Sequence, residues 1–252
     1  MPLDGLRLAM TLLTAIPLPG ARGGAAPSRR AAGAAMAWAP AVGLLLGGAA
    51  AAALQVAARW GHSGPLLAAV LAVATLAAGS RALHLDGLAD TADGLGSRRP
   101  AGGALAIMKR SDIGPFGVVT LVFALLIQVA ALAQAEALGR GVPAIVAAAV
   151  AGRLSLTWAC RRGVPAARGS GLGAMVAGTV NPMVPAAVTI AALAAAYPFG
   201  LVIVLGVAAG LAASVVVTAW AVRRLGGITG DVLGALVEIT VTTCLVVTAV
   251  RV

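Results

Sequence analysis

Seven stretches of this chain are apolar over bilayer-like lengths, and that pattern leaves it few ways to fold. They run Met36–Ala58, Pro65–Leu83, Gly114–Leu138, Val142–Cys160, Val184–Tyr197, Leu201–Val222 and Val232–Val250. A transmembrane helix needs about 20 such residues. Strands of a membrane barrel would alternate apolar and polar positions, whereas these runs are continuous and rich in Ala, Leu and Val. Of the 252 residues, 60% are apolar and 10% charged, so polar surface is too scarce for a water-soluble fold of this size. The expectation is one all-α integral membrane domain over residues 1–252, a polytopic helical bundle with six or seven spans. Six applies if the fifth and sixth stretches merge across residues 198–200. The stretch Leu3–Leu18 imitates a signal peptide, but Arg22, Arg29 and Arg30 follow it rather than precede it. It reads as a retained interfacial or re-entrant helix.

The 18 basic and 8 acidic residues give a net charge of +10. In a soluble protein that balance would suggest nucleic acid, but aromatic residues are only 3% of the chain, too few for a base-stacking surface. In a membrane protein, Lys and Arg instead mark loops held on the cytoplasmic side. With the N-terminus inside and seven spans, fourteen basic residues fall inside and three (Arg59, Arg140 and Arg251) outside, while Arg153 lies within a span. Merging the fifth and sixth spans would put Arg223 and Arg224 outside, so the count favours seven. A multi-pass membrane protein is expected. Cys160 and Cys244 lie in apolar segments and read as small core residues.

Asp86, Asp90, Asp93, Asp112 and Asp231 lie in or beside the inside connections. Carboxylates do not set topology, so their clustering points to a polar site facing the cytoplasm. The densest run is His84-Leu85-Asp86-Gly87-Leu88-Ala89-Asp90-Thr91-Ala92-Asp93-Gly94. On a helix, Asp86, Asp90 and Asp93 share a face at i,i+4 and i,i+3 spacing and repel one another unless a cation sits among them. Three carboxylates at a membrane boundary suit Mg²⁺, with substrate phosphates completing its shell. A solvated acidic loop is the bland alternative. Gly87 and Gly94 would let a ligand approach the backbone. His84 reads equally as a donor to phosphate and as an interfacial polar residue.

Two further polar islands follow. Ala104–Gly117 holds Lys109 and Arg110 at the end of a short helix over residues 101–110, where they either complement the helix dipole or bind phosphate. Arg223–Asp231 contains Gly226, Gly227 and Gly230, a pattern suited to a cradle of exposed backbone N–H groups. Glu238, two turns after Asp231, is an intramembrane acid whose most economical partner is Arg153, either as a buried pair or as part of a site. The Arg161–Gly178 segment is basic and glycine-rich, which loop flexibility explains about as well as ligand binding.

With these islands in view, the chain resembles the cobalamin synthase (adenosylcobinamide-GDP ribazoletransferase) family. The resemblance rests on the run from His84 to Gly94, on Ile107-Met108-Lys109 with Ile113-Gly114-Pro115-Phe116-Gly117, on Gly226-Gly227-Ile228-Thr229-Gly230-Asp231-Val232-Leu233-Gly234-Ala235, and on Leu12-Leu13-Thr14-Ala15-Ile16-Pro17-Leu18-Pro19. It implies a Mg²⁺-dependent membrane transferase that joins adenosylcobinamide-GDP to α-ribazole, or its 5′-phosphate, and releases GMP. On that reading Asp86, Asp90 and Asp93 hold the metal, and one of them, such as Asp93, takes the nucleophile's proton. Lys109 stabilises charge on phosphate, while His84, Arg110, Gly227 and Asp231 bind substrate. The partners are those small molecules and the lipid bilayer, not nucleic acid, with assembly as a homo-oligomer left open. The alternatives are a CDP-alcohol type Mg²⁺-dependent phosphotransferase and a cation-coupled transporter. Two departures stand out: many family members read Lys-Asp-Ser-Arg where this chain has Lys109-Arg110-Ser111-Asp112, and many carry Glu where it has Leu85.

Overall fold

The computed structural model describes residues 2–16, 27–60 and 64–251. Among the described residues there are eleven α-helices and no strand. In order they are α1 (Pro2–Leu13), α2 (Arg29–Gln55, continued by a π-turn over Val56–Trp60), α3 (Pro65–Gly79), α4 (Leu83–Gly96), α5 (Ala101–Ile107), α6 (Pro115–Ala137), α7 (Gly141–Ala159), α8 (Leu172–Val176), α9 (Met183–Ala196, followed by a 3-10 turn over Tyr197–Phe199), α10 (Leu201–Leu225) and α11 (Gly230–Thr248).

Five of these, α2, α6, α7, α10 and α11, are long and apolar enough to cross a membrane. A sixth crossing results only if α3 and α4 count as one span, although they are bent by 87° at their junction. The polytopic helical fold is as expected; counting the bent pair gives six spans, the lower of the two expected numbers, and seven is not reached. The shortfall lies in α3 and α9. Their 15 and 14 residues rise about 22 and 21 Å, short of a hydrocarbon core of about 30 Å.

The early stop of α3 has a local cause. Arg81 and Ala82 both adopt left-handed backbone, with φ of 56° and 55°. The Ala82 N–H reaches the Ala77 carbonyl at 2.7 Å and the Arg81 N–H reaches that of Ala78 at 3.0 Å, a Schellman-type closure. Such an ending is normally marked by glycine, and here no glycine marks it.

The bundle is organised on α11, which packs against α4, α6, α7 and α10, and on α7, which packs against α2, α10 and α11. Small residues let these backbones approach. Gly43 and Gly47 of α2 face the backbone of Ala149 and Val146, Gly152 of α7 faces Val237 and Val241, and Gly206 and Gly210 of α10 face Cys244 and Thr240. In lipid, where apolar burial adds little between helices, such close packing holds a bundle together. The Thr157 hydroxyl adds a tie, donating to the Met36 carbonyl at 2.8 Å. On α6 the exposed face carries Val118, Val119, Val122, Phe123 and Leu126, which suits a lipid-facing surface.

Two ends can be told apart. At one, Arg29 donates to the Ala177 carbonyl at 2.7 Å, Arg224 to that of Arg99 at 2.6 Å and Arg168 to that of Leu105 at 2.6 Å. At the other, Arg140 donates to the Val250 carbonyl at 3.2 Å, and Gln55, Arg59 and Glu136 share a surface recess. Helix α1 lies against α2, with Gly5 fitted to Ala34 and Trp38, and the Ala15 N–H just beyond it meets the Gly79 carbonyl at 2.7 Å. Pro17, Leu18, Pro19 and Arg22 lie outside the described residues.

Candidate functional site

At the first end, the N-terminal turns of α4 and α11 and the loop before α8 enclose a cavity of about 320 Å³. Four ionisable side chains are on its wall: His84 and Asp86 from α4, Arg168 from the loop and Asp231 from α11. Segments about 80 and 60 residues apart in sequence therefore meet at one place.

Asp231 is placed by local helix chemistry. Thr229 caps α11, its hydroxyl accepting the Val232 N–H at 3.1 Å and donating to Asp231 Oδ2 at 3.2 Å. A carboxylate in the first turn also complements the positive end of the helix dipole. The two helices then cross backbone to backbone. A Cβ on Gly87 would lie 2.7 Å from the Asp231 carbonyl, and one on Gly234 would lie 3.1 Å from the Gly87 Cα. Gly87 thus seats α11 as well as lining the cavity. Gly94, by contrast, is closed to a ligand, because Met108, just past the end of α5, fills the space beside it, which corrects the sequence expectation.

The three motif carboxylates do not converge. Asp86 is exposed on the cavity. Asp90 follows one turn later, outside the five spanning helices. Its partial burial, then the charges of Asp86, Asp231 and Asp93, push its carboxyl up to about 6. Asp93 is buried, and both of its oxygens accept backbone N–H groups at the start of α6: Gly114 at 2.7 Å and Gly117 at 3.0 Å. Asp93 therefore caps the start of α6, with each of its oxygens engaged by a backbone N–H. Among the described residues no group of three or more His, Cys, Asp or Glu side chains is arranged to hold a metal ion unaided.

The expected phosphate cations also sit elsewhere. Lys109 is exposed and does not line the cavity. Arg110 is exposed and bound side-on to Asp112, at 2.9 Å through Nε and 2.7 Å through Nη2. The exchanged order of Arg110 and Asp112 is thus satisfied within the pair itself. Gly227 does not open a cradle either. It is packed against the backbone of residues 165–167, where a Cβ would come within 2.5 Å of three backbone atoms. That contact lets the Ile228 N–H reach the Pro165 carbonyl at 3.0 Å and the Ala167 N–H reach the Ile228 carbonyl at 3.0 Å.

His84 is 2% exposed, and neither ring nitrogen has a hydrogen-bond partner. Burial, and secondarily the charge of Arg153, push its pKa well below the usual imidazole range. It is a neutral imidazole whose polar atoms are unsatisfied, on the wall of a cavity. Arg153 and Glu238 form no ion pair. Glu238 instead accepts from Gln128 Nε2 at 2.9 Å, and Gln128 also donates to Thr242 at 3.0 Å. Arg153, 2% exposed, retains an unpartnered Nε.

Arg168 is the site residue that sequence reasoning missed. Its Nη1 lies 3.6 Å from Asp231 Oδ2. The signal was present in Arg168-Gly169-Ser170-Gly171-Leu172-Gly173, a single cation ahead of closely spaced glycines, of which Gly173 packs against Ile228 and Thr229.

The profile of the family described as cobalamin-5-phosphate synthase matches residues 5–249. The chain belongs to that family. It is 43% identical to an adenosylcobinamide-GDP ribazoletransferase of Frankia casuarinae, over 98% of this chain and 94% of the relative. It is 40% identical to the enzyme of the same name from a Nocardioides species, over 98% and 99%, and 38% identical to that of Pseudomonas aeruginosa, over 94% of each. No solved structure matches. The match favours the ribazoletransferase reading over a CDP-alcohol phosphotransferase or a transporter.

Proposed function

We propose that the chain is an adenosylcobinamide-GDP ribazoletransferase of the bacterial inner membrane, with its site open to the cytoplasm. The observation that carries this reading is the meeting of Asp86, Arg168 and Asp231 around one cavity in a member of this family. The orientation is supported by the positive-inside rule. Arg29, Arg168 and Arg224 bind backbone carbonyls at the cavity end, the last of them that of Arg99, while Arg59 and Arg140 lie at the other.

The reaction is substitution at phosphorus. A ribose hydroxyl that is free in both α-ribazole and its 5′-phosphate, and so not the 5′-hydroxyl, forms a new bond to the phosphorus nearer cobinamide. The bridging P–O bond breaks, GMP leaves, and the hydroxyl proton is lost. Catalysis of such transfers is mostly positioning and charge neutralisation. Asp86 and Asp231 are held at a fixed separation by the Gly87–Gly234 contact, and His84 offers a neutral N–H donor at the cavity wall. The cavity is large enough for the nucleotide diphosphate or the ribazole but not for the whole corrinoid, whose macrocycle would rest outside it.

Mg²⁺ fits this donor set in a limited way. Asp86, Asp90 and Asp231 act on one another electrostatically, and a divalent ion commonly uses one or two carboxylates and takes its remaining ligands from water and substrate phosphates. Asp86 and Asp231, the two carboxylates on the cavity wall, would hold it rather than Asp93, and bound there it would neutralise the diphosphate. The test is GMP release by purified protein in lipid nanodiscs given adenosylcobinamide-GDP and α-ribazole. Release that requires both substrates is expected, and its loss on chelation would assign the metal. No release from folded protein with both substrates and Mg²⁺ would overturn the reading.

A further inference from the structure

We propose that Arg168 is the side chain that grips the phosphate groups of the substrate, a role for which sequence spacing pointed to Lys109 and Arg110. The inference rests on the transferase reading above and identifies the cation of that site.

The charge on the cavity wall comes first. Asp86 and Asp231 are both acidic, His84 is neutral, and Arg168 is the cation among the lining residues. A diphosphate brought beside two carboxylates is repelled unless a fixed positive charge lies within contact range. Exposed cations farther away are screened over about 10 Å at ordinary ionic strength. Lys109 and Arg110 are of that second kind, and Arg110 is already occupied by Asp112.

The Arg168 guanidinium is also held in place with its binding capacity unspent. The loop that carries it is registered against α11 by the paired Ala167–Ile228 and Ile228–Pro165 hydrogen bonds, and its Nη2 is fixed on the Leu105 carbonyl at 2.6 Å. A guanidinium has five N–H donors. Here one hydrogen bond is made, Asp231 stands at 3.6 Å, beyond hydrogen-bonding range, and Nε has no partner. With its side chain only 19% exposed, water does little to satisfy the remainder. A planar cation that is positioned, largely desolvated and short of acceptors is matched to phosphate oxygens. Ser170 and Gly171 continue the same wall.

The rival role is structural: Arg168 merely pins α5 to α11. The two are separated by kinetics in nanodiscs with Arg168→Gln and Arg168→Lys, using inorganic pyrophosphate as a competitive probe and Arg110→Gln as the control. If Arg168 binds phosphate, Arg168→Gln raises KM for adenosylcobinamide-GDP and Ki for pyrophosphate together, each at least tenfold. Arg168→Lys, which keeps charge but loses the fork, raises both at least threefold, and Arg110→Gln leaves both within twofold. KM and Ki unchanged in either Arg168 variant, or a fall in kcat alone, would overturn the proposal in favour of the pin. Should Arg168→Gln fail to fold, Arg168→Lys decides by the same threshold. If the wild type releases no GMP, the transferase reading fails, and Arg168 is then judged by pyrophosphate-induced melting shifts. A wild-type shift abolished by Arg168→Gln or Arg168→Lys upholds the anion site, and a shift unchanged by either, or absent from the wild type, rejects it.

Discussion

Asp93 is fitted into Gly117: a Cβ on that glycine would stand 2.5 Å from Asp93 Oδ2. The contact explains why Gly114-Pro115-Phe116-Gly117 opens α6, since Gly114 leaves room for the same carboxylate. Asp93→Asn should therefore cost about 1–2 kcal/mol of stability, the scale of a lost helix cap. Turnover per folded molecule should stay within severalfold of wild type. Melting in detergent and the GMP assay check the two halves. A fully folded but inactive Asp93→Asn variant would return Asp93 to the chemistry.

A different outcome is expected for the residues on the cavity. Mg²⁺ should raise the melting temperature of the wild type, because a ligand that binds only the folded state stabilises it. The shift should vanish in Asp86→Asn and Asp231→Asn and persist in Asp93→Asn. A shift retained in the first two would remove the metal from this cluster.

Gly87→Ala probes the crossing of α4 and α11. Its methyl would enter the Asp231 backbone, so a loss of about 1–3 kcal/mol is expected, typical of overpacking. Activity should fall further than stability alone explains, because Asp86 and Asp231 are pushed apart. Turnover measured well below the melting temperature separates the two effects.

The pH dependence of stability should carry the signature of Asp90. Its folded pKa is raised to about 6 from an unfolded value near ~4, so the protonated form is favoured on folding. That contribution is complete below the unfolded value and is lost as pH rises through about 6. Without Mg²⁺, the wild type should lose melting temperature between about pH 4 and 6, and Asp90→Asn should lose less. Parallel curves for the two proteins would rule out this assignment.

Much of the fold was legible because five spans announce themselves by length and continuous hydropathy. The bend at Arg81 and Ala82 was not, since left-handed backbone at non-glycine residues leaves no mark in sequence. The Asp spacing was read correctly as one helical face, but facing is only half of a position. Asp93 lies seven residues beyond Asp86, about 10 Å farther along the axis, and reaches α6 instead of the cavity. Arg168 stayed hidden because its worth depends on Asp231 and Leu105, which only the tertiary fold brings beside it.

The central place of α11 has a consequence for how the protein is made. During synthesis α4, α6, α7 and α10 all emerge before the helix on which they pack. Until it arrives, Gln128 lacks its Glu238 acceptor, Arg153 sits in α7 far from any acid it can sense, and Asp86 faces half a site. A nascent chain halted before Gly230 would carry most of the motif residues and yet no cavity. The final helix closes the site, and a separately expressed segment spanning α11 would be the natural piece with which to restore a truncated chain.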